Sequence, residues 1–182
     1  MNALAAYGLL ANALVFGALA ALLPLGTLRP RVAMAATAIA LLAGLAPVMH
    51  GMLGAPSVTL LQLAILQLAD RTPSPLSYRP ALGLLVFALF FYPAALGWGA
   101  FDPYALGYQP WPLLAAMVPL AAVLCWRRLN VWLIILAIDL AAWATGIFAN
   151  LWDVLFDPLL VLLAAIIVGR QQVIRFIASR RR

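Results

Sequence analysis

Long apolar segments separated by short polar turns are the feature that most constrains this chain. Its 182 residues are 67% hydrophobic and 9% charged, whereas a soluble domain has about half apolar and about a quarter charged residues. An apolar segment of about 20 residues can cross a bilayer as a helix. We therefore predict an all-α polytopic membrane protein, a bundle of about seven transmembrane helices forming one domain, 1–182. The predicted spans are 3–23, 32–50, 52–69, 81–98, 113–126, 131–149 and 158–170, followed by a basic tail at 170–182.

The arginines set the predicted orientation, since all 11 basic residues are Arg. With seven crossings every arginine falls on one side of the membrane, and the other side carries Asp102, Asp153 and Asp157. Because basic residues mark the cytoplasmic ends of spans, we predict an outer N-terminus and a cytoplasmic C-terminus in a bacterial inner membrane. The segment 52–69 could instead be re-entrant, because Pro56 leaves a short apolar stretch. A full crossing is favoured, since otherwise the arginines would divide between the two sides.

Asp139 is the one acid expected within a span, 131–149. An ionisable side chain in hydrocarbon is costly and marks a functional site or a buried structural contact. Trp143 follows Asp139 by one helical turn and could offer its indole N–H, and Gln62 is a polar candidate from another span. These three residues form the predicted intramembrane polar site. Two interpretations stay open: a proton or cation relay, and a structural acid bonded to a neighbouring helix or subunit.

A second candidate site lies at the predicted outer face. Asp153 and Asp157 are four residues apart, so a helix would place them on one face, where they could bind a cation or an amine. His50, at the outer end of a span, could act as a base beside them. These three are the candidate catalytic residues. The alternative for these acids is helix capping. Asp157 directly precedes Pro158, as Asp102 precedes Pro103, and proline favours the first helical position. Asp153 follows Asn150 by three residues, which also resembles a capping arrangement.

Aromatic residues are concentrated near the same face. They could form the belt found at lipid headgroup level, or a groove in which flat rings stack on a sugar or lipid headgroup. The predicted outer surface consists of Trp98, Asp102, Tyr104, Tyr108, Trp111 and Trp152. At the opposite end the basic tail is expected to contact anionic lipid headgroups, with an acidic protein partner as the alternative. The tail residues concerned are Arg175, Arg180, Arg181 and Arg182.

The residue types missing from the sequence exclude several membrane chemistries. There is no Lys for a retinal Schiff base, and a single His and a single Cys cannot form a zinc site or a disulfide. We expect no cofactor, no bound metal and no nucleic-acid partner. The favoured function is a non-enzymatic accessory subunit of a larger membrane assembly, such as one handling lipid-linked or cell-envelope glycans. The alternatives are a small transporter or channel using Asp139, and a membrane-embedded enzyme with an outer site at His50.

Overall fold

A computed structural model describes residues 2–23, 25–69 and 76–180, which are mostly helical and contain no strand. The predicted all-α class is therefore confirmed for these residues. In chain order the helices are α1 (Ala3–Ala20), α2 (Arg29–Leu42), α3 (Leu45–Leu53), α4 (Val58–Ala69), α5 (Tyr78–Ala95), α6 (Trp111–Trp126), α7 (Asn130–Ala144), α8 (Leu151–Leu155) and α9 (Pro158–Arg180). Short 3-10 helices lie at Gly26–Leu28 and Tyr104–Gly107. The predicted lipid contacts at Arg181, Arg182 and the side chain of Arg180 lie outside the described residues.

Three helical segments are long and apolar enough to cross a membrane: Ala3–Ala20, Tyr78–Ala95 and Leu151–Ser179. A fourth results if Gly26–Leu42 and Leu45–Leu53, which are bent against each other, form one span. α4, α6 and α7 are apolar as well, but shorter. The part of the chain that the structure describes thus contains three or four helices of membrane-spanning length.

The predicted second span, 32–50, is not one straight helix. α2 and α3 meet at an angle of 76°, and Gly44 makes the turn with a φ of 78°. Glycine adopts this left-handed conformation without the strain that a Cβ would cause. The predicted third span, 52–69, is also divided, because α3 occupies its first residues and α4 begins only at Val58, after Pro56.

The last two predicted spans differ from the structure at their C-terminal ends. Instead of continuing over 131–149, α7 ends at Ala144, and the chain turns at Gly146, whose φ is 75°. Asn150 therefore lies outside α7, at the start of α8. α9, in contrast, continues without a break as far as Arg180. Much of the predicted basic tail is thus a continuation of the last helix.

Close helix pairs hold the bundle together. α1 packs along α2 and α4, α5 packs along α9, and α4 also contacts α7. A Cβ on Gly17 of α1 would collide with the side chain of Thr37 on α2, so the two backbones approach closely. Small residues at such contacts are typical of helix packing in membranes. The central hydrophobic core includes Val15, Leu60, Leu63, Phe91, Ile135, Phe156 and Leu160.

Polar contacts distinguish two ends of the bundle. At one end, here called the acidic end, the start of α4 meets the segments that carry Asp153 and Asp157. At the other, the arginine end, the guanidinium of Arg29 donates to the carbonyl oxygen of Gln67 at 3.0 Å. The candidate site lies at the acidic end.

Candidate functional site

Asp139 is buried between α4 and α7, with 1% of its surface exposed. The Thr59 hydroxyl donates to one carboxylate oxygen at 2.6 Å, and the Gln62 amide donates to the other at 2.8 Å. The two donors are three residues apart on α4, so both face α7. The Gln62 amide also donates to the carbonyl oxygen of Ile135 at 3.2 Å. These bonds form a polar bridge between the two helices.

The structure brings Gln62 to Asp139 but keeps Trp143 apart from it. Trp143 packs against the cluster of Val58, Phe148 and Val154, and no hydrogen bond from its indole to Asp139 occurs among the described residues. Thr59 supplies the second donor instead. Because each carboxylate oxygen has a donor and almost no surface is exposed, this arrangement ties α4 to α7 and leaves no open path to the carboxylate.

Asp157 joins the starts of α4 and α9. One of its oxygens accepts the backbone N–H of Leu160 at 2.7 Å, which is the capping contact predicted from the order Asp157–Pro158. The other oxygen accepts the backbone N–H of Ser57. The Ser57 hydroxyl in turn accepts the N–H of Leu60 at 3.1 Å and caps α4. Two helix starts are thus held against each other by linked caps.

Asp153 is held by the loop between α5 and α6, where the Tyr104 hydroxyl donates to its carboxylate at 2.8 Å. Burial, together with this hydrogen bond, raises the pKa of the Tyr104 hydroxyl above its ordinary value of 10.0, so the hydroxyl stays protonated and remains a donor to a higher pH than usual. The Asn150 amide donates to the Tyr104 carbonyl at 3.1 Å. The Trp152 indole donates to the Pro103 carbonyl at 2.8 Å. The two loops therefore hold each other in place.

Asp153 and Asp157 line one cavity of about 400 Å³ at the acidic end. Six aromatic rings form much of its wall: Phe91, Tyr92, Tyr104, Phe148, Trp152 and Phe156. The other lining residues are Leu4, Leu53, Gly54, Ala55, Ala95 and Pro158. None of the described lining residues is basic, so two acids face an otherwise aromatic and aliphatic surface.

The aromatic rings of this wall support one another. The ring centroids of Phe91 and Trp152 are 4.8 Å apart, and Tyr92 stacks on Phe156 at 5.6 Å. Sequence reasoning missed four of the rings: Phe91, Tyr92, Phe148 and Phe156. The available signal was the aromatic run 90–92 near the end of a predicted span. Within an apolar span, such a run is equally typical of helix packing, so it did not indicate a cavity.

His50 does not belong to this cavity. Its ring lies against Gly8 of α1, where a Cβ would collide with it. Its Nδ1 atom is buried and has no hydrogen-bond partner in the described structure. No described contact joins His50 to Asp153 or Asp157, so the structure does not assemble the three candidate catalytic residues into one site.

The other predicted surface residues lie outside the cavity. Asp102 accepts the backbone N–H of Tyr104 at 2.9 Å and so shapes its own loop. Tyr108 meets Tyr104 edge to face, with centroids 5.9 Å apart. Two tryptophans are largely exposed, at 83% and 80%: Trp98 and Trp111. Of the predicted aromatic surface, only Tyr104 and Trp152 reach the cavity wall.

At the arginine end, the guanidinium of Arg175 lies over the Tyr78 ring, 4.7 Å from its centroid. Gln172 donates to the hydroxyl of the same tyrosine at 2.9 Å. Both contacts fasten α9 to the start of α5, which gives Arg175 a contact within the protein besides the predicted one with lipid.

The described residues contain no group of three or more His, Cys, Asp or Glu side chains that could hold a metal ion. Comparison with family models, with curated proteins and with solved structures finds no match to this chain. The function therefore has to be argued from the geometry of the site.

Proposed function

We propose that this is an integral membrane protein that binds a small organic cation, an alkylammonium group, in the cavity at its acidic end. The observation that carries the proposal is the cavity wall, which combines two carboxylates with six aromatic rings and has no basic side chain among its described residues. Carboxylates attract a cation directly, and ring faces attract it through their quadrupole. A volume of about 400 Å³ also suits a small-molecule site.

Both acids retain acceptor capacity for such a ligand. A carboxylate has about four lone-pair positions. Asp153 accepts the Tyr104 hydroxyl, and each oxygen of Asp157 accepts one backbone N–H. An ammonium group can therefore be bound without breaking the hydrogen bonds that hold the acids. Asp157 is 7% exposed, and a cation is attracted more strongly in a partly desolvated site than at an exposed surface.

The two alternative functions receive less support from the geometry. An enzyme of the kind considered needs His50 beside an acid, and His50 packs against Gly8 instead. A transporter or channel needs access to Asp139, which is 1% exposed and bonded on both oxygens. Binding a cation in the cavity requires neither a base at His50 nor access to Asp139.

The orientation that we propose has all seven predicted segments crossing a bacterial inner membrane, with the N-terminus outside. Antiparallel contacts support it: Thr59, near the start of α4, meets Asp139 late in α7, and Tyr78, at the start of α5, meets Gln172 late in α9. Seven alternating crossings require both of these pairs, the third with the sixth segment and the fourth with the seventh, to be antiparallel. In this orientation the cavity opens toward the outer face.

The binding proposal is tested with choline and with dimethylbutanol, its uncharged isostere. Isothermal titration of the full-length protein in detergent should show saturable binding of choline. The isostere should bind more than tenfold more weakly, because it has the shape of choline without the charge, and a desolvated cation–π contact contributes about 2 kcal/mol or more. Equal affinities, or no binding of choline at millimolar concentration, would refute the proposal.

Two acidic-end variants provide a matched comparison: Asp153→Asn and Asp102→Asn. Each removes one acid, but only Asp153 lines the cavity. We expect D153N to weaken choline binding roughly tenfold and D102N to leave it unchanged. Equal losses in both variants would indicate general charge attraction and not a site.

A role as an accessory subunit is the second candidate function that we propose, and α6 supports it. Leu113 is the one buried residue among the described residues of α6, and this helix packs chiefly on α7 and the turn Tyr104–Gly107. Most of its apolar surface is thus available to a helix of another membrane protein. Crosslinking through the exposed Cys125 in native membranes should yield an adduct with one specific chain. Recovery of the uncrosslinked protein alone would contradict this role.

A further inference from the structure

An apolar cleft of about 290 Å³ lies between α1, α4 and α9. It shares no lining residue with the cavity at the acidic end. Ala64 and Leu63 of α4 form its floor, while Leu19 of α1 and Leu162 of α9 stand on either side. These two leucines are 43% and 57% exposed, so the cleft is open along its length to whatever surrounds the helices.

The length of the cleft suits one acyl chain. Its lining extends along α9 from Leu159 to Arg170. At a rise of about 1.5 Å per residue this is roughly 16 Å. The hydrocarbon core of a bilayer is about 30 Å thick, and one acyl chain extends through about half of that thickness, so the cleft is long enough to hold one acyl chain.

The arginine end of the cleft is polar and basic. Arg170 and Gln67 line it there, and the Gln67 carbonyl oxygen accepts a hydrogen bond from Arg29 at 3.0 Å. Arg170 therefore places a guanidinium group at the end of an apolar slot whose described lining contains no acid. Guanidinium binds phosphate well, because its planar N–H donors match two phosphate oxygens.

We propose that the cleft binds one acyl chain of an anionic glycerophospholipid, with the lipid phosphate at Arg170. The apolar walls bind the chain, and the positive charge at Arg170 favours an anionic headgroup over a zwitterionic one. A cleft of about 290 Å³ is too small to enclose a helix of a partner protein, which is about 10 Å across, whereas a chain of methylene groups fits. A soluble phosphate would lack the contacts that the walls provide.

Native mass spectrometry of the full-length protein in detergent tests the site without mutation. Dioleoyl phosphatidylglycerol should be retained as one molecule per protein, and dioleoyl phosphatidylcholine several-fold less. Glycerol phosphate and dihexanoyl phosphatidylglycerol, which lack a long chain, should not displace the retained lipid. Equal retention of the two dioleoyl lipids, or displacement by glycerol phosphate, would overturn the proposal.

Variants of two arginines on α9 distinguish binding at this site from general charge attraction. Arg170→Gln should weaken retention of phosphatidylglycerol roughly fivefold, since one basic residue near anionic lipid contributes about 1 kcal/mol. Arg175→Gln is the control, because Arg175 lies over Tyr78 and does not line the cleft. Unchanged retention in R170Q, or the same loss in both variants, would refute the assignment.

A third variant tests the chain-binding walls. Ala64→Phe places a ring in the floor of the cleft and should abolish retention of both dioleoyl lipids. If this variant does not fold, Leu162→Trp at the more exposed wall is used with the same expectation. Full lipid retention in a folded wall variant would show that the chain lies elsewhere.

Discussion

The buried acids of this protein are stabilised in two different ways. Asp139 lies inside a helix and accepts hydrogen bonds from the side chains of Thr59 and Gln62. Asp157 precedes a helix and accepts backbone N–H groups. In both cases each carboxylate oxygen has a donor, which offsets the large cost of removing a charged or polar group from water. Asp153 has a single described donor, Tyr104, so it is the acid with the most capacity for a ligand.

Asp139→Asn should destabilise the protein without affecting binding at the acidic end. Asparagine has one carbonyl oxygen and an NH₂ group, so it cannot accept from Thr59 and Gln62 with two separate oxygens. A buried donor left without an acceptor costs about 1–3 kcal/mol. Thermal denaturation in detergent should show this loss, while choline titration stays unchanged. Full stability combined with loss of an ion or proton flux would instead support the relay hypothesis.

Tyr104→Phe should have a pH-dependent effect on stability. The pKa of Tyr104 is raised above 10.0 in the folded protein, so above pH 10 the unfolded chain loses a proton that the folded chain keeps. The stabilisation is therefore complete below about pH 10 and decreases as pH rises through the folded pKa. The difference in Tm between wild type and Y104F should be constant near neutral pH and shrink at high pH. A difference that stays constant up to high pH would contradict the raised pKa of Tyr104 in the folded protein.

At the scale of helices, short breaks place the functional groups. α7 ends at Ala144 and α8 begins after Asn150, whose side chain accepts the N–H of Trp152 at 2.8 Å. This turn brings Trp152 and Asp153 to the loop that carries Tyr104. If α7 had continued through the predicted span 131–149, it would have carried Trp152 and Asp153 away from this loop, and the cavity wall would not form.

Gly17→Ala should weaken the packing of α1 against α2. The added Cβ would collide with Thr37 and lie 3.0 Å from the Ala33 carbonyl oxygen, and such overpacking typically costs about 1–3 kcal/mol. Thr37→Ala in the same chain should restore part of the loss, because it removes the colliding hydroxyl. Gly51→Ala is the control, since a Cβ there meets open space. Equal Tm values for G17A and G51A would contradict this account of the helix pair.

At the scale of the whole molecule, the separation of the acidic end from the arginine end is the basis of the proposed orientation in the membrane. Cys125 lies in the last turn of α6, two residues before Arg127, and it is exposed. The proposed seven-span orientation places it at the cytoplasmic side. It also places Asp102 at the outer side.

A membrane-impermeant maleimide should therefore label Cys125 in inverted vesicles and not in intact cells. In a Cys125→Ser chain, Asp102→Cys should show the reverse pattern. Cys125→Ser alone is the unlabelled control. If both positions were labelled from the same side, the chain between them would not cross the membrane and the proposed orientation would be wrong.

The sequence by itself determined the helical class, the apolar character and the local caps. Apolar runs leave the helix as the simplest way to satisfy backbone hydrogen bonds in lipid, and the cap at Asp157 acts on Leu160, three residues away. The helix breaks were harder to predict from the sequence, because the turns at Gly44 and Gly146 depend on backbone angles that an apolar pattern does not specify. Short helices such as α4 were therefore expected to be longer.

Only the tertiary structure decided which residues share a site. Thr59 and Asp139 are 80 positions apart, and Ser57 and Asp157 are 100 apart, so no local pattern could pair them. In the same packed bundle His50 lies against α1, and four rings that were not predicted line the cavity together with two acids. Composition specifies that such helices must bury polar groups against one another. Which polar groups meet depends on how neighbouring helices pack, and that is a property of the folded bundle.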